Sequence, residues 1–486
     1  MPGGLPPGIF IFGLKNRREE IPMKKLEKKQ LIGIIISVLI LIGMYFVPEF
    51  GGISTAGIRT LGCTLAMLVM FSTAALPLGL TAVIFMMLYF ITGAASSLPS
   101  AISGMATPPV FFVMASFGMS AAVSNSPISN RIMHFMLRLF GKSARTTLLG
   151  LMFATAIVSA FISNVPVTAM FITISLSFLK LYDNEEDRKK TGRCYMIAIP
   201  VAAMIGGIMT PVGSSPNLVA ISTLKSMADY SITFVEWACY GVPIALILIP
   251  LAWLLITAIF KPVELEQTKF RAFIESTKVD HAPDRQEWKV IIIMGGMVLL
   301  WILSSWITSI NLYAVAVLGV MIMLLPGVEI LTWDEFKKIC NWDVVFVTAS
   351  VISLGNVISA NGLSTWFVNT IFPSGLTLSA FMMVFVTAVF VILMLLIIPI
   401  SGALIQVLAG PLIVVAGNCG IAPVILIVTL CFCATNCYLI PLDTVPLLGY
   451  STGYFQMTDM PKATAPILLL LALLCAVWCP FVFGIL

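Results

Sequence analysis

Ser163 and Asn164 lie in a short polar stretch, Ile162 to Pro166, inside a long apolar run, and Ser401 does the same within Ile400-Ser401-Gly402-Ala403. Hydroxyls, a carboxamide and freed backbone groups offer oxygens to a hard cation and N–H or O–H donors to an oxyanion. Beyond each stretch a second apolar helix is interrupted, first at Met209-Thr210-Pro211-Val212-Gly213-Ser214-Ser215-Pro216-Asn217, later at Ile440-Pro441-Leu442-Asp443-Thr444-Val445-Pro446. Either tip alone reads equally well as a helix ended by its proline. The repetition of the same order in two halves argues instead for the binding site of a secondary transporter.

At a hairpin tip the last carbonyls of one half-helix and the first amides of the next lose their partners, which leaves a dipolar pocket for ions of either sign. Gly213 allows close backbone approach, Ser214 and Ser215 add hydroxyls, and Asn217 is placed to cap the half-helix that follows. Asp443 is the only acid expected deep in a core helix. A carboxylate there costs roughly 2.5 to 3.5 kcal/mol unless it is paired or faces water, so it reads as a cation ligand or as a proton carrier in that cation's place.

The elements that position these residues follow from composition. The chain has 486 residues, 59% hydrophobic and 10% charged, which describes an all-α polytopic membrane protein, since its apolar runs are too long for barrel strands. Spans are expected at 31–47, 54–73, 77–97 and 104–125, then a hairpin over 146–180 and a broken helix over 192–226. Spans at 233–260, 288–310, 312–327 and 342–360 follow, then a hairpin over 378–416, a broken helix over 422–453 and a final span at 464–486. This gives about 11 crossings plus two re-entrant hairpins.

Basic residues test this layout. With the amino terminus in the cytoplasm and each hairpin returning to the side it entered from, all but Arg59 and Lys225 of the 27 Lys and Arg fall on the cytoplasmic side. The first hairpin then opens from the cytoplasm and the second from outside, an inverted repeat whose tips meet near the bilayer middle. The carboxyl terminus is extracytoplasmic, and the cell (plasma or inner) membrane is the expected location. The divisions are a cytoplasmic tail 1–30, first-half scaffold helices 31–145, a hairpin and broken helix 146–226, and scaffold helices 227–377 with a solvated cytoplasmic linker 261–289. A second hairpin and broken helix 378–453 and a last helix 454–486 complete the chain.

The net charge of +5 is spread over short loops, so no nucleic-acid-binding face is expected. Cys431, Cys433 and Cys437 lack the partners of a zinc site and read as small hydrophobes. With only His134 and His281, neither in the membrane core, no metal cluster or Ser-His-Asp arrangement can be assembled there, so no enzyme and no cofactor are expected. No phosphate-binding loop is present, so ion gradients supply the energy. A channel would need a continuous polar path, whereas these interruptions resemble closed pockets.

These residues resemble the divalent anion sodium symporters, which carry dicarboxylates, citrate or sulfate. That family's hairpin motif is Ser-Asn-Thr, and its downstream loop is Thr-Pro-x-Gly-Thr-x-Pro-Asn. Ser163-Asn164-Val165 and Thr210 to Asn217 look like the first pair; Ser401-Gly402-Ala403 with Pro411 looks like the second hairpin, and Asp443-Thr444-Val445-Pro446-Leu447 stands where Ala-Thr-Pro-Pro-Asn is common. The resemblance implies a homodimer with one site per protomer, and a transport domain of hairpins and broken helices moving elevator-fashion against a scaffold. It implies a small anionic substrate near Ser163, Asn164, Val165, Thr210, Ser401, Gly402, Ala403 and Thr444. Coupling ions, sodium or protons, would lie near Ser163, Asn164, Gly213, Ser214, Asn217, Ser401, Asp443 and Thr444. Val165, Gly402 and Ala403 depart from the family pattern by removing two hydroxyls and a carboxamide. The alternative within transport is a cation–proton antiporter or an oxyanion exporter or exchanger of related design.

Overall fold

The computed structural model describes residues 28–485 apart from 74, 280, 308, 364–365, 367–369, 371–377, 397 and 399–400. The expected tail before residue 28 and the tip residue Ile400 therefore lie outside the described residues. The chain is a polytopic helical protein. Among the described residues, five helices are long and apolar enough to cross a bilayer: Phe234–Phe260, Arg285–Leu303, Trp342–Ala360, Ser401–Asn418 and Asp459–Phe483. Shorter apolar helices account for many of the other expected spans, including Thr55–Phe71, Leu78–Ile91 and Leu312–Leu324.

The first hairpin consists of Ala144–Ser159 and Asn164–Leu179, 16 residues each. At 1.5 Å per residue each arm reaches about 24 Å, short of the ~30 Å hydrocarbon core. Both ends lie against one stretch of the linker: the Ala144 amide donates to Glu264 Oε2 at 2.7 Å, and the Tyr182 hydroxyl donates to the Val263 carbonyl at 2.6 Å. The hairpin thus enters and leaves on the same side. Ser143 begins it with a capping box shared with Thr146, and the Glu264 carboxylate adds favourable charge at the helix start. Burial pushes the Tyr182 phenol up to about 12.

Glu185–Gly207 and Ser215–Ala228 form the interrupted helix that follows. The second half repeats the order, with Ala380–Met394 and Ser401–Asn418 as a helix pair and Pro423–Thr435 and Thr444–Tyr450 as an interrupted helix. The halves interlock. Ser215–Ala228 packs on Ser401–Asn418 and Pro423–Thr435, while Thr444–Tyr450 packs on Glu185–Gly207 and Asn164–Leu179. Gly449 makes this approach possible, because a Cβ there would lie 2.3 Å from the Met196 carbonyl. Helix Trp342–Ala360 lies between Leu78–Ile91 and the second helix pair, and at Gly355 it meets Gln406 so closely that a Cβ would be 2.2 Å from Oε1.

The stretch before the first hairpin is more structured than expected. No span is expected between 125 and 146, yet Ile128–Phe140 is an amphipathic helix bent 64° from Pro108–Ser124. It buries Met133 and Leu137 and exposes Phe135 and Leu139 beside Arg138. Its Arg131 makes a two-pronged ion pair with the buried Glu287, Nε to Oε1 at 2.5 Å and Nη2 to Oε2 at 3.0 Å, and also donates to the His281 carbonyl at 2.7 Å. His134 Nδ1 lies 3.0 Å from Thr277 Oγ1. The linker carries a helix, Gln267–Ser276, which buries Phe270 and Phe273.

Candidate functional site

Two helix ends and one loop converge at the first tip. Helix Ala144–Ser159 ends at the tip and Glu185–Gly207 ends beside it, so both bring their last carbonyls, which lack intrahelical partners, and the negative pole of their dipoles to the same place. Gly213 marks that place: a Cβ there would sit 2.7 Å from the Gly207 carbonyl oxygen, 3.0 Å from that of Ser159 and 3.1 Å from that of Ala160. Three carbonyl oxygens around a space that only glycine leaves open form a cradle suited to a hard cation.

Side chains lock the cradle. The Thr210 hydroxyl donates to the Ala160 carbonyl, which ties the loop to the tip. Asn217 is fully buried, and its Nδ2 donates to the carbonyls of Gly207 and Thr210, both at 2.8 Å. It therefore does not act as the helix cap expected from sequence. The cap position falls to Ser214, whose side chain makes no capping bond and whose carbonyl accepts from the Asn217 amide at 3.1 Å. Two strong carbonyl acceptors outcompete the local cap.

Asn164, 7% exposed, is 2.7 Å from the Ser159 hydroxyl. The carboxamide orientation that satisfies its surroundings points Nδ2 at Ser159 Oγ, at the Ala203 carbonyl (3.2 Å) and at the Gly213 carbonyl (3.2 Å). One side chain thus joins the hairpin, the broken helix and its loop. Gly207 is required beside it, because a Cβ would fall 2.5 Å from the end of the Asn164 carboxamide. Ser163 stands at the N-cap position of Asn164–Leu179 without capping it through its hydroxyl, and Val165 is half-buried in the first turn.

The second group is built differently. Ser401 begins its helix with its hydroxyl 3.5 Å from the Cys437 sulfur. Among the described residues, nothing lies within 4 Å of where a Cβ on Gly402 would be, and Ala403 is buried. Asp443 caps Thr444–Tyr450 by accepting from the Val445 amide at 3.1 Å, and Thr444 is exposed. A small cavity bounded by Leu395, Leu396, Cys437, Leu439 and Asp443 adjoins the end of Ala380–Met394. Thus Asn164, Thr210, Gly213 and Asn217 form one bonded cluster, and Ser401 and Asp443 flank Cys437 in another.

Sequence reasoning missed Ser159, Gly207, Cys431 and Asn436. A serine one turn before the tip and the second glycine of Gly206-Gly207 were the available signals. The cysteines are less passive than expected: Cys431 donates to Asn217 Oδ1 at 3.3 Å, and Cys437 meets Ser401. Asn436 is fully buried, its Nδ2 donates to the Phe432 carbonyl at 2.8 Å, and its Oδ1 has no hydrogen-bond partner among the described residues.

Comparison with known proteins places this architecture. Residues 28–485 match the family described as the sodium:sulfate symporter transmembrane region. A sodium-dependent dicarboxylate transporter, SdcS, of Staphylococcus saprophyticus is 23% identical over 94% of this chain and 92% of its own length. An uncharacterized transporter of Haemophilus influenzae is 26% identical over 61% of this chain and 64% of its own length. Another, from Schizosaccharomyces pombe, is 26% identical over 54% of this chain, which spans only 29% of that longer relative. The solved structure of Neisseria gonorrhoeae MtrF, reported to illuminate a class of antimetabolite efflux pumps, shares the fold with a TM-score of 0.57 at 12% identity, covering 95% of this chain and 96% of that one. The chain belongs to the sodium:sulfate symporter family of polytopic membrane transport proteins.

Proposed function

We propose that this protein is a secondary active transporter of small anions, di- or tricarboxylates or similar, coupled to sodium. The observation that carries the reading is the oxygen cradle at Gly213, formed where two helices end and closed by Asn164, Thr210 and Asn217. The printed function of the staphylococcal relatives, sodium-dependent dicarboxylate transport, supports it. In this reading the cation lies against the carbonyls of Ser159, Ala160 and Gly207. The anion lies beside Ser163, Asn164 and Thr210 on one side and beside Ser401 and Thr444 on the other. Val165, Gly402 and Ala403 line the remainder with apolar surface, which favours an anion with fewer polar contacts at its second end. The hairpins and broken helices move as one transport domain in a homodimer, with the basic loops cytoplasmic.

Charge limits the stoichiometry. Carrying a dianion inward with one sodium moves net charge −1 against about 100 mV, at a cost of roughly 2.3 kcal/mol. A tenfold sodium gradient returns about 1.4 kcal/mol. Concentrative uptake of a dianion therefore needs more than one cation, and Ser401, Asp443 and Thr444 are the residues for the next. Asp443 also favours a second reading, a cation–proton antiporter or an oxyanion exporter or exchanger. Proteoliposomes separate the two: an inward sodium gradient should drive uptake of labelled succinate, citrate or sulfate, whereas transport driven only by a pH gradient or by counter-substrate identifies the second reading.

A further inference from the structure

Asn217 aims its two donor hydrogens at the Gly207 and Thr210 carbonyls, both on the first break. What fixes that carboxamide from behind comes from the other half of the chain. The Cys431 thiol, in helix Pro423–Thr435, donates to Asn217 Oδ1 at 3.3 Å. Both residues have no exposed surface. Without this donor the Oδ1 would lose the partner that opposes rotation of the carboxamide, and rotation would turn an acceptor toward two carbonyl oxygens. The line continues past Cys431. Its sulfur lies 3.9 Å from the buried Thr435 hydroxyl, and the next residue, Asn436, opens the second break with an Oδ1 that has no partner among the described residues.

We propose that Cys431 is a positioning residue that sets the cation cradle of the first half from the helix leading to the second break. It touches neither ion nor substrate; it holds Asn217, and Asn217 holds the carbonyls of Gly207 and Thr210. Cys431 thus ties Asn217 at the first break to the helix that leads, through Thr435, to Asn436 at the second. This inference rests on the sodium reading of the cradle.

The test compares Cys431→Ser, which keeps a donor, with Cys431→Val and Cys431→Ala, which remove it, using the purified full-length chain in proteoliposomes. The expected result for Val and Ala is a rise of about tenfold in the sodium concentration for half-maximal uptake of labelled succinate, citrate or sulfate, the size of one lost buried hydrogen bond. At saturating sodium the substrate KM stays unchanged, and Ser remains near wild type. Equal shifts in Ser, Val and Ala, shifts in none, or failure of both Val and Ala to insert while Ser inserts identify a packing role and overturn the proposal. Wild-type uptake indifferent to sodium overturns the parent reading and this inference together; sodium-dependent wild type with unshifted variants overturns this inference alone.

Discussion

The Asn164 carboxamide lies 2.7 Å from the Ser159 hydroxyl across the first hairpin tip, joining the last residue of one arm to the first of the other. In its satisfied orientation it reaches Ala203 and Gly213 as well, so a single side chain holds three separate segments in register. Asn164→Ala should remove these bonds and leave buried acceptors unpaired, destabilising the protein by about 1 to 3 kcal/mol. Sodium-driven uptake should fall at least about tenfold, the equivalent of roughly 1.4 kcal/mol. Thermal unfolding and uptake assays check the two effects; wild-type behaviour in both removes Asn164 from the site.

Gly213 and Gly402 should respond oppositely to the same substitution. Gly213→Ala places a methyl 2.7 Å from one carbonyl oxygen and about as close to two more, which fills the cradle. Gly402→Ala meets nothing within 4 Å among the described residues. The expected outcome is loss of sodium stimulation in the first and near-normal sodium dependence in the second, measured by sodium titration of uptake. Equal tolerance of both would show that the space at Gly213 is not used.

Asp443 is the carboxylate available to the second group of residues. Asp443→Asn keeps an acceptor for the Val445 amide and removes the charge, so folding should be retained. If the residue strengthens a second cation site, half-saturation by sodium should rise several-fold; if it carries a proton, the pH dependence of uptake should flatten. Unchanged dependence on both sodium and pH excludes Asp443 from coupling.

Far from the tips, Arg131 neutralises Glu287, whose side chain is fully buried. Arg131→Met should leave an uncompensated buried carboxylate and destabilise the protein by about 3 kcal/mol. Replacing both partners, as in Arg131→Met with Glu287→Leu, should restore most of the loss, which thermal unfolding of the single and double variants measures. A single variant as stable as wild type would mean that the pair does not tie helix Ile128–Phe140 to the linker.

What the sequence disclosed was whatever interrupts an apolar run. Ser163, Asn164, Thr210 and Gly213 stood out because polar residues, glycine and proline break a lipid-facing helix, and the same signal marked Ser401 and Asp443. Ser159 and Gly207 gave a weaker signal of the same kind, since their roles come from two helix ends meeting in space. Asn217 was misread through its local logic: a carboxamide near a helix start usually caps it, but here two distant carbonyls compete successfully. Cys431 looked like a hydrophobe, and only the packing of Pro423–Thr435 on Ser215–Ala228 gives its thiol a partner. Helix Ile128–Phe140 was hidden because Arg131 and Arg138 read as loop charge, although Met133 and Leu137 already marked one buried face.

Uptake by wild type and Gly213→Ala in parallel proteoliposomes, with sodium or potassium as the only inward gradient, bears most directly on whether the carbonyl cradle couples sodium to anion movement. Wild type should accumulate labelled succinate, citrate or sulfate under sodium and not under potassium, and Gly213→Ala should do neither. Accumulation by wild type that is equal under both cations, or sodium-driven accumulation that survives in Gly213→Ala, would contradict it.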